Sequence, residues 1–562
     1  LNSDLWRSAI ITSFYILVIF LVAWYAHIRK ESGRSIVNSP YIYTLSVAVY
    51  CTAWTFYGSV GKAATSGIDF AMIYIGPTLV ATSWFLVLKH VIRICKEHNV
   101  TSIADFISLR YGKSLWLGSL TTLVILVGCM PYIAVQIKAV STSFYIISGL
   151  NPHNIFFSGG EAELRIPTGF FLTLIIAVFS IIFGARKLSS SERHEGMVAA
   201  VAFESLLKLL VVFIIGILIS FHLFDGPGDL FSKFASMYPA DFARLFSLSS
   251  ADRSPDTVHP FSMLIMSMGA FMMLPRQFHV MVIENSDERH IATSMWLFPL
   301  YLFLISIFVL PIALGGAIIT GSTDGADFFI INIPQKTGHG CFAIIAFLGG
   351  LSAAAGMVIV ESIAISTMML NHIFMPLIVK LKPRNWFPLL LINLKRAAII
   401  ITIMLGYFYF QIAGDVLSLA EMGMISFAAT CQFLPAMFGA LFWRHGNFTG
   451  ALSGLLFGFA IWIYTLLLPS LCMSNWLPSG LLSTGPLGIG LLKPTALFGL
   501  SGLDMWSHAL FWSLLLNTSA YLFCSIYSGP GFLGHRNDVN FLFKETANGK
   551  ECSQSRCSGR RA

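Results

Sequence analysis

The run "MMLPRQFH" at residues 272–279 sets a proline and three polar side chains inside an apolar stretch. Proline removes a backbone donor and its ring clashes with the preceding turn. At membrane depth such a break survives only against protein or a water-filled cavity. The reading of this run therefore depends on whether the stretch around it crosses a bilayer. Hydrophobic residues make up 56% of the 562-residue chain and charged residues only 11%. Mean hydropathy is +0.76, and a soluble domain carries about 25% charge. The chain reads as an all-α polytopic membrane protein.

A bilayer span needs about 20 apolar residues. Thirteen such runs occur, roughly at 8–28, 40–60, 69–95, 115–149, 167–184, 197–221, 261–284, 293–319, 341–374, 396–413, 416–442, 447–469 and 505–527. Another interruption, "YCTAWTFYGSVG" at 50–61, lies five spans earlier in the chain, with glycines and hydroxyls in mid-run. Paired breaks in corresponding spans point to an inverted-repeat transporter with its site near the bilayer midplane. One repeat then covers about 40–221 and the other about 261–442, within a transmembrane domain of 1–527. Residues 528–562 read as a polar cytoplasmic tail, disordered by composition.

With the N-terminus placed outside and the C-terminus inside, inner segments hold 25 of the 35 Lys and Arg residues. That tally includes Arg276 and follows the positive-inside rule. The net charge of +8 then reflects topology, and nucleic-acid binding is not implied. Nine scattered cysteines give no disulfide framework. Only one pair, Cys552 and Cys557, sits in a polar segment, so no metal site is expected. No nucleophile–base pair stands out, and the chain is not read as an enzyme.

Ionisable groups inside a span cost about 2.5–3.5 kcal/mol on insertion scales and are functional candidates. In "PYIAVQIKAV" (131–140), Tyr132 and Gln136 stand four apart and share a helix face. They either line a substrate cavity or bond a neighbouring helix. Lys138 points about 160° away from Tyr132. Glu204 and Lys208, also four apart, read as a self-neutralising pair or as a proton or substrate site. After Pro275 come Arg276, Gln277 and His279, of which Gln277 is the leading candidate for the cavity. In "LGGLSAAAGMVIVE" (348–361), small residues suit close helix packing. Gly350, Ala354 and Glu361 fall within about 20° of one stripe, with Ser352 on the opposite side.

The segment "TSIADFISLRYG" (101–112) is similar to one found in sodium:solute symporters, matching at Thr101, Asp105, Phe106, Arg110, Tyr111 and Gly112. The stretches at 46–67 and 274–290 more closely resemble the transporter-like input domain of CbrA-type sensor histidine kinases. The resemblance implies a LeuT-type 5+5 inverted-repeat fold in a bacterial inner membrane. It also implies a small solute, most simply an amino acid of the histidine or proline class. The substrate would lie near Cys51, Thr52, Trp54, Tyr57, Tyr132, Gln136 and Gln277. The coupling ion would be Na+ or H+, with no other cofactor and no metal. A cation region is implied at Ala48, Cys51, Gly350, Ala353 and Ala354. There the family's two adjacent hydroxyls are replaced by Ala353 and Ala354, so sodium coupling should be weak, with Glu361 as candidate proton carrier. The rival reading is a sensor input that binds the solute and signals to a histidine kinase. The segment after Ser528 has no room for such a kinase, which would make the chain a fragment, a truncated product or a stand-alone transporter.

Overall fold

The computed structural model describes residues 3–149, 168–184, 194–245, 258–378 and 387–529. Nearly all of the expected tail, with Cys552 and Cys557, lies outside the described residues, as do the basic residues Arg186, Lys187 and Arg193. Among the described residues every regular element is helical. Of these described helices, ten are long and apolar enough to cross a membrane, or eleven if the bent pair Val258–Met273 and Pro275–Ile283 is one span. The thirteen expected spans differ from this count because two of them are short or fragmented. Gly169–Gly184 is a shorter apolar helix. The chain from 40 to 98 is divided into Pro40–Val47, Ala48–Tyr50, Trp54–Gly58, Ser59–Ser66, Gly67–Ala71, Met72–Thr82 and Leu88–His98. Gly67 makes the turn in this series: its φ is +65°, and a Cβ there would lie 2.6 Å from Leu245 O. Large apolar side chains such as Trp6, Phe14, Trp24 and Phe303 are exposed on the outside of the bundle, as a lipid-facing surface requires.

The two interruptions are real breaks in the helical path. At the second, Leu274 turns to an extended ψ of 133° and Pro275 opens the next turn, where its missing N–H costs nothing. The bend there is 50°. At the first, the unwound residues are Cys51 and Thr52, upstream of the glycines. Gly58 and Gly61 serve packing: Cβ atoms there would sit 3.3 Å from Leu419 Cβ and 1.8 Å from Asp327 Oδ1.

Packing around the two broken spans follows one pattern twice. Pro40–Val47 packs on His290–Ser306 and on Glu195–Ile217. Val258–Met273 packs on Met72–Thr82 and on Leu419–Cys431. Glu195–Ile217 also meets Gly340–Met369, and Leu419–Cys431 meets Leu115–Ser148. Each contact in one set becomes its counterpart when spans are exchanged between the halves, as two interlocked five-helix repeats demand.

The segment at 101–112 fastens this bundle at one end. Ser102 caps helix Ile103–Arg110 by accepting from Asp105 N. The Asp105 carboxylate accepts from Thr101 N at 3.1 Å and lies 2.7 Å from His372 Nε2. Burial alone would raise the Asp105 carboxyl, but hydrogen bonds from His372 and Thr101 outweigh it and hold it below the ordinary value. Arg110 Nε donates to Ala440 O at 3.1 Å, and Tyr111 Oη to Ala436 O at 2.8 Å. Asp105, Arg110 and Tyr111 thus tie this segment to His372, Ala440 and Ala436 of two other helical stretches.

Candidate functional site

The site is built where the first break meets helix Leu115–Ser148. Unwinding at Cys51 and Thr52 frees backbone groups that must find partners in a dry interior. Gln136 Oε1 accepts from Ala53 N at 3.1 Å, and Thr52 Oγ1 accepts from Trp54 N at 3.2 Å. Thr52 Oγ1 also lies 2.8 Å from Tyr132 Oη, and Gln136 Nε2 donates to Tyr132 O at 3.2 Å. Tyr132 and Gln136 share a face, as their spacing of four anticipates, and that face is turned to the break. The side chains of Thr52, Tyr132, Gln136 and Trp54 are buried.

The second break supplies the opposite side. Gln277 Nε2 donates to Val47 O at 3.3 Å, linking the two broken spans. Arg276 is buried with no exposed surface, although the positive-inside tally assigned it to an inner segment. Its Nη1 lies 3.2 Å from Glu361 Oε2, and both side chains have zero exposure. The guanidinium also stands 4.4 Å from the centroid of the Tyr132 ring, a cation–π distance. Tyr132 stacks with Phe427 at 5.4 Å and 17°, and Trp54 lies 6.3 Å from the same ring. The result is an aromatic wall beside a fixed charge pair.

Other expected residues stand around this centre. Trp54 Nε1 donates to Ala420 O at 3.1 Å, and its ring fills the space over Gly423, so it anchors helix Leu419–Cys431. Tyr57 packs on Phe56 at 4.9 Å and covers Gly350, where a Cβ would fall 1.7 Å from its hydroxyl. Ala48 O and Cys51 O both accept hydrogen bonds from Lys208 Nζ. Ala353 and Ala354 are buried. The small residues of 348–361 are sockets: Gly349 receives Phe56 and Val211, Gly350 receives Tyr57, and Gly356 receives the Glu204 carboxylate. Glu204 Oε1 accepts from Tyr15 Oη at 3.0 Å, and Ser352 Oγ donates to Glu204 O at 3.2 Å. His279 Nε2 lies 3.2 Å from Glu284 Oε1.

Several buried polar atoms at the centre hold no hydrogen bond among the described residues. They are Nε and Nη2 of Arg276, Oε1 of Gln277 and Oε1 of Glu361. Buried polar groups are rarely left so, and here Arg276 and Glu361 stand side by side. At the end of the bundle near Pro40 and Ile283, a cleft of about 650 Å³ is lined by charged side chains that include Lys89, Lys96, Glu195, Asp287 and Arg289. The role of Arg276 as partner of Glu361, the reach of Lys208 and the wall made by Phe427 were not foreseen. Charge inside a span was the available signal for the first two.

No family model matches the chain. It is 22% identical over 458 residues to the uncharacterized symporter YhjB of Bacillus subtilis (strain 168), covering 78% of this chain and 86% of that protein. Its fold is similar to a Na+-coupled sialic acid symporter solved in a substrate-bound outward-open state. The TM-score is 0.62 at 15% identity, over 93% of this chain and 98% of the other. A manganese transporter of Eremococcus coleocola is also similar, at a TM-score of 0.45 and 13% identity over 86% of this chain and 94% of the other. The protein is a multi-pass helical membrane protein with the fold of the sialic acid symporter.

Proposed function

We propose that this chain is a secondary transporter that takes up a small organic solute, an amino acid of the histidine or proline class, by alternating access. The carrying observation is the set of orphaned groups at the second break and on the helix it meets. Arg276 Nε and Nη2 are donors of the geometry that suits a carboxylate. Gln277 Oε1 is an acceptor that suits an ammonium. Tyr132 and Phe427 add an apolar wall for the side chain. The fold shared with a symporter and the similarity to YhjB support transport as the activity.

Sodium coupling is weak in this reading, because Ala353 and Ala354 offer no side-chain oxygen to a hard cation, which takes oxygen ligands. Protons replace it. Glu361 is the carrier and Arg276 its counter-ion, so that taking up a proton frees the guanidinium for the solute's carboxylate. The chain sits in a bacterial inner membrane with its N-terminus outside, which makes the cleft near Pro40 the cytoplasmic vestibule.

The test is uptake of radiolabelled histidine and proline into proteoliposomes under separate sodium and proton gradients. Accumulation should follow the proton gradient, ignore sodium and fall in Gln277→Ala. Steep sodium dependence at fixed pH would refute the coupling. Binding without accumulation would favour a sensor input that reports to a histidine kinase.

A further inference from the structure

The first break exposes two backbone carbonyls, Ala48 O and Cys51 O, inside the bundle. Carbonyls freed by an unwound helix concentrate partial negative charge and need a donor or a cation in a dry interior. Ala48 O already accepts from Cys51 N at 3.0 Å, and one side chain reaches both carbonyls. Lys208 Nζ donates to Ala48 O at 3.0 Å and in a close contact to Cys51 O, while Lys208 itself is only 3% exposed. It is carried by helix Glu195–Ile217, which packs on Pro40–Val47 and on Gly340–Met369. Its charged and titratable surroundings are Glu204 one turn back, the Cys51 thiol, and Arg276 of the second broken span. Glu204 is in turn held by Tyr15 and seated on Gly356.

We propose that the Lys208 ammonium is a tethered cation, filling at the first break the place that a free monovalent cation would otherwise take. The inference rests on the weak sodium coupling proposed above and supplies its cause. A carrier with a covalently attached charge at these carbonyls has no need of the hydroxyls absent at Ala353 and Ala354. It also implies a latent site. Shortening Lys208 would open the side of Ala48 O and Cys51 O that it occupies and leave Glu204, one turn back on the same helix, without the opposite charge it feels. That is a set of oxygen donors suited to a small hard cation.

The experiment follows the unfolding midpoint of the purified full chain in detergent, in sodium chloride and in choline chloride at equal ionic strength. Wild type and Lys208→Arg should show one midpoint in both salts. Lys208→Ala and Lys208→Met should be less stable in choline and regain stability saturably as sodium replaces it. Adding Glu204→Gln to either should remove the sodium response. Saturable sodium stabilisation of the wild type would overturn the proposal. So would folded Lys208→Ala and Lys208→Met that ignore sodium, or variants unfolded in both salts, because sodium would then fail to replace the ammonium. No solute is present, so the result stands whether or not histidine or proline uptake is found.

Discussion

Replacing Arg276 with Met should be among the most destabilising single changes in this protein, and replacing Glu361 as well should recover most of the loss. The two side chains have zero exposure and meet at 3.2 Å. Removing one partner of a buried pair leaves an uncompensated charge and costs about 3–5 kcal/mol. Replacing the whole pair by apolar residues of similar volume is often neutral or stabilising by about 1–4 kcal/mol. Among the described residues Arg276 Nε and Nη2 and Glu361 Oε1 lack hydrogen-bond partners, so the pair has few auxiliary hydrogen bonds to lose, and the double variant should lie near wild type. The assay is a double-mutant cycle, Arg276→Met, Glu361→Met and both, with stability read by SDS titration in mixed micelles. A coupling energy of several kcal/mol, opposite in sign to the single losses, is expected. Single losses below about 1 kcal/mol, or strictly additive losses, would show that the pair is hydrated and that the buried-charge reasoning fails.

Three further outcomes are expected. Gly350→Ala puts a Cβ 1.7 Å from the Tyr57 hydroxyl and 2.2 Å from Tyr57 Cζ, an overpacking cost of about 1–3 kcal/mol; adding Tyr57→Ala should reduce the shift in the thermal midpoint caused by the glycine change. Thr52→Val removes the acceptor shared by Trp54 N and the partner of Tyr132 Oη, costing about 1–3 kcal/mol where a buried group is left unsatisfied; its loss and that of Tyr132→Phe should be less than additive in denaturation. Asp105 is held below the ordinary carboxyl value, so its stabilisation is complete above the unfolded value of about 3.9 and is lost as pH falls through the folded one. The stability gap between wild type and Asp105→Asn should therefore be constant near neutrality and shrink in acid, as measured by denaturation midpoints across pH.

The architecture was legible because its punctuation is local. Pro275 marks the second break wherever it stands, and the composition leaves no reading but a membrane bundle. Tyr132 and Gln136 were legible as a pair because four residues make one turn. The first break was read from glycines that turn out to be packing sites, while the unwound residues, Cys51 and Thr52, carry no breaker of their own. Glu204 and Lys208 show the limit of spacing. Their separation permits an intrahelical pair, yet Lys208 reaches a carbonyl 160 positions away and Glu204 accepts from Tyr15, 189 positions away. Arg276 and Glu361, 85 positions apart, are joined only by the way the second broken span crosses helix Gly340–Met369. Periodicity reports which face a residue occupies but not what that face meets.

Helix Gly340–Met369 is indexed like a key. Tyr57 rests in the notch at Gly350 and Glu204 in the notch at Gly356, while Glu361 grips Arg276. These three points are spread over about 16 Å of helix axis. Sliding the helix by one residue would disengage all three together, whereas tilting it about any one of them strains the other two only gradually. Rearrangement around this helix should therefore proceed by rocking, with the translational path closed by the teeth of the key.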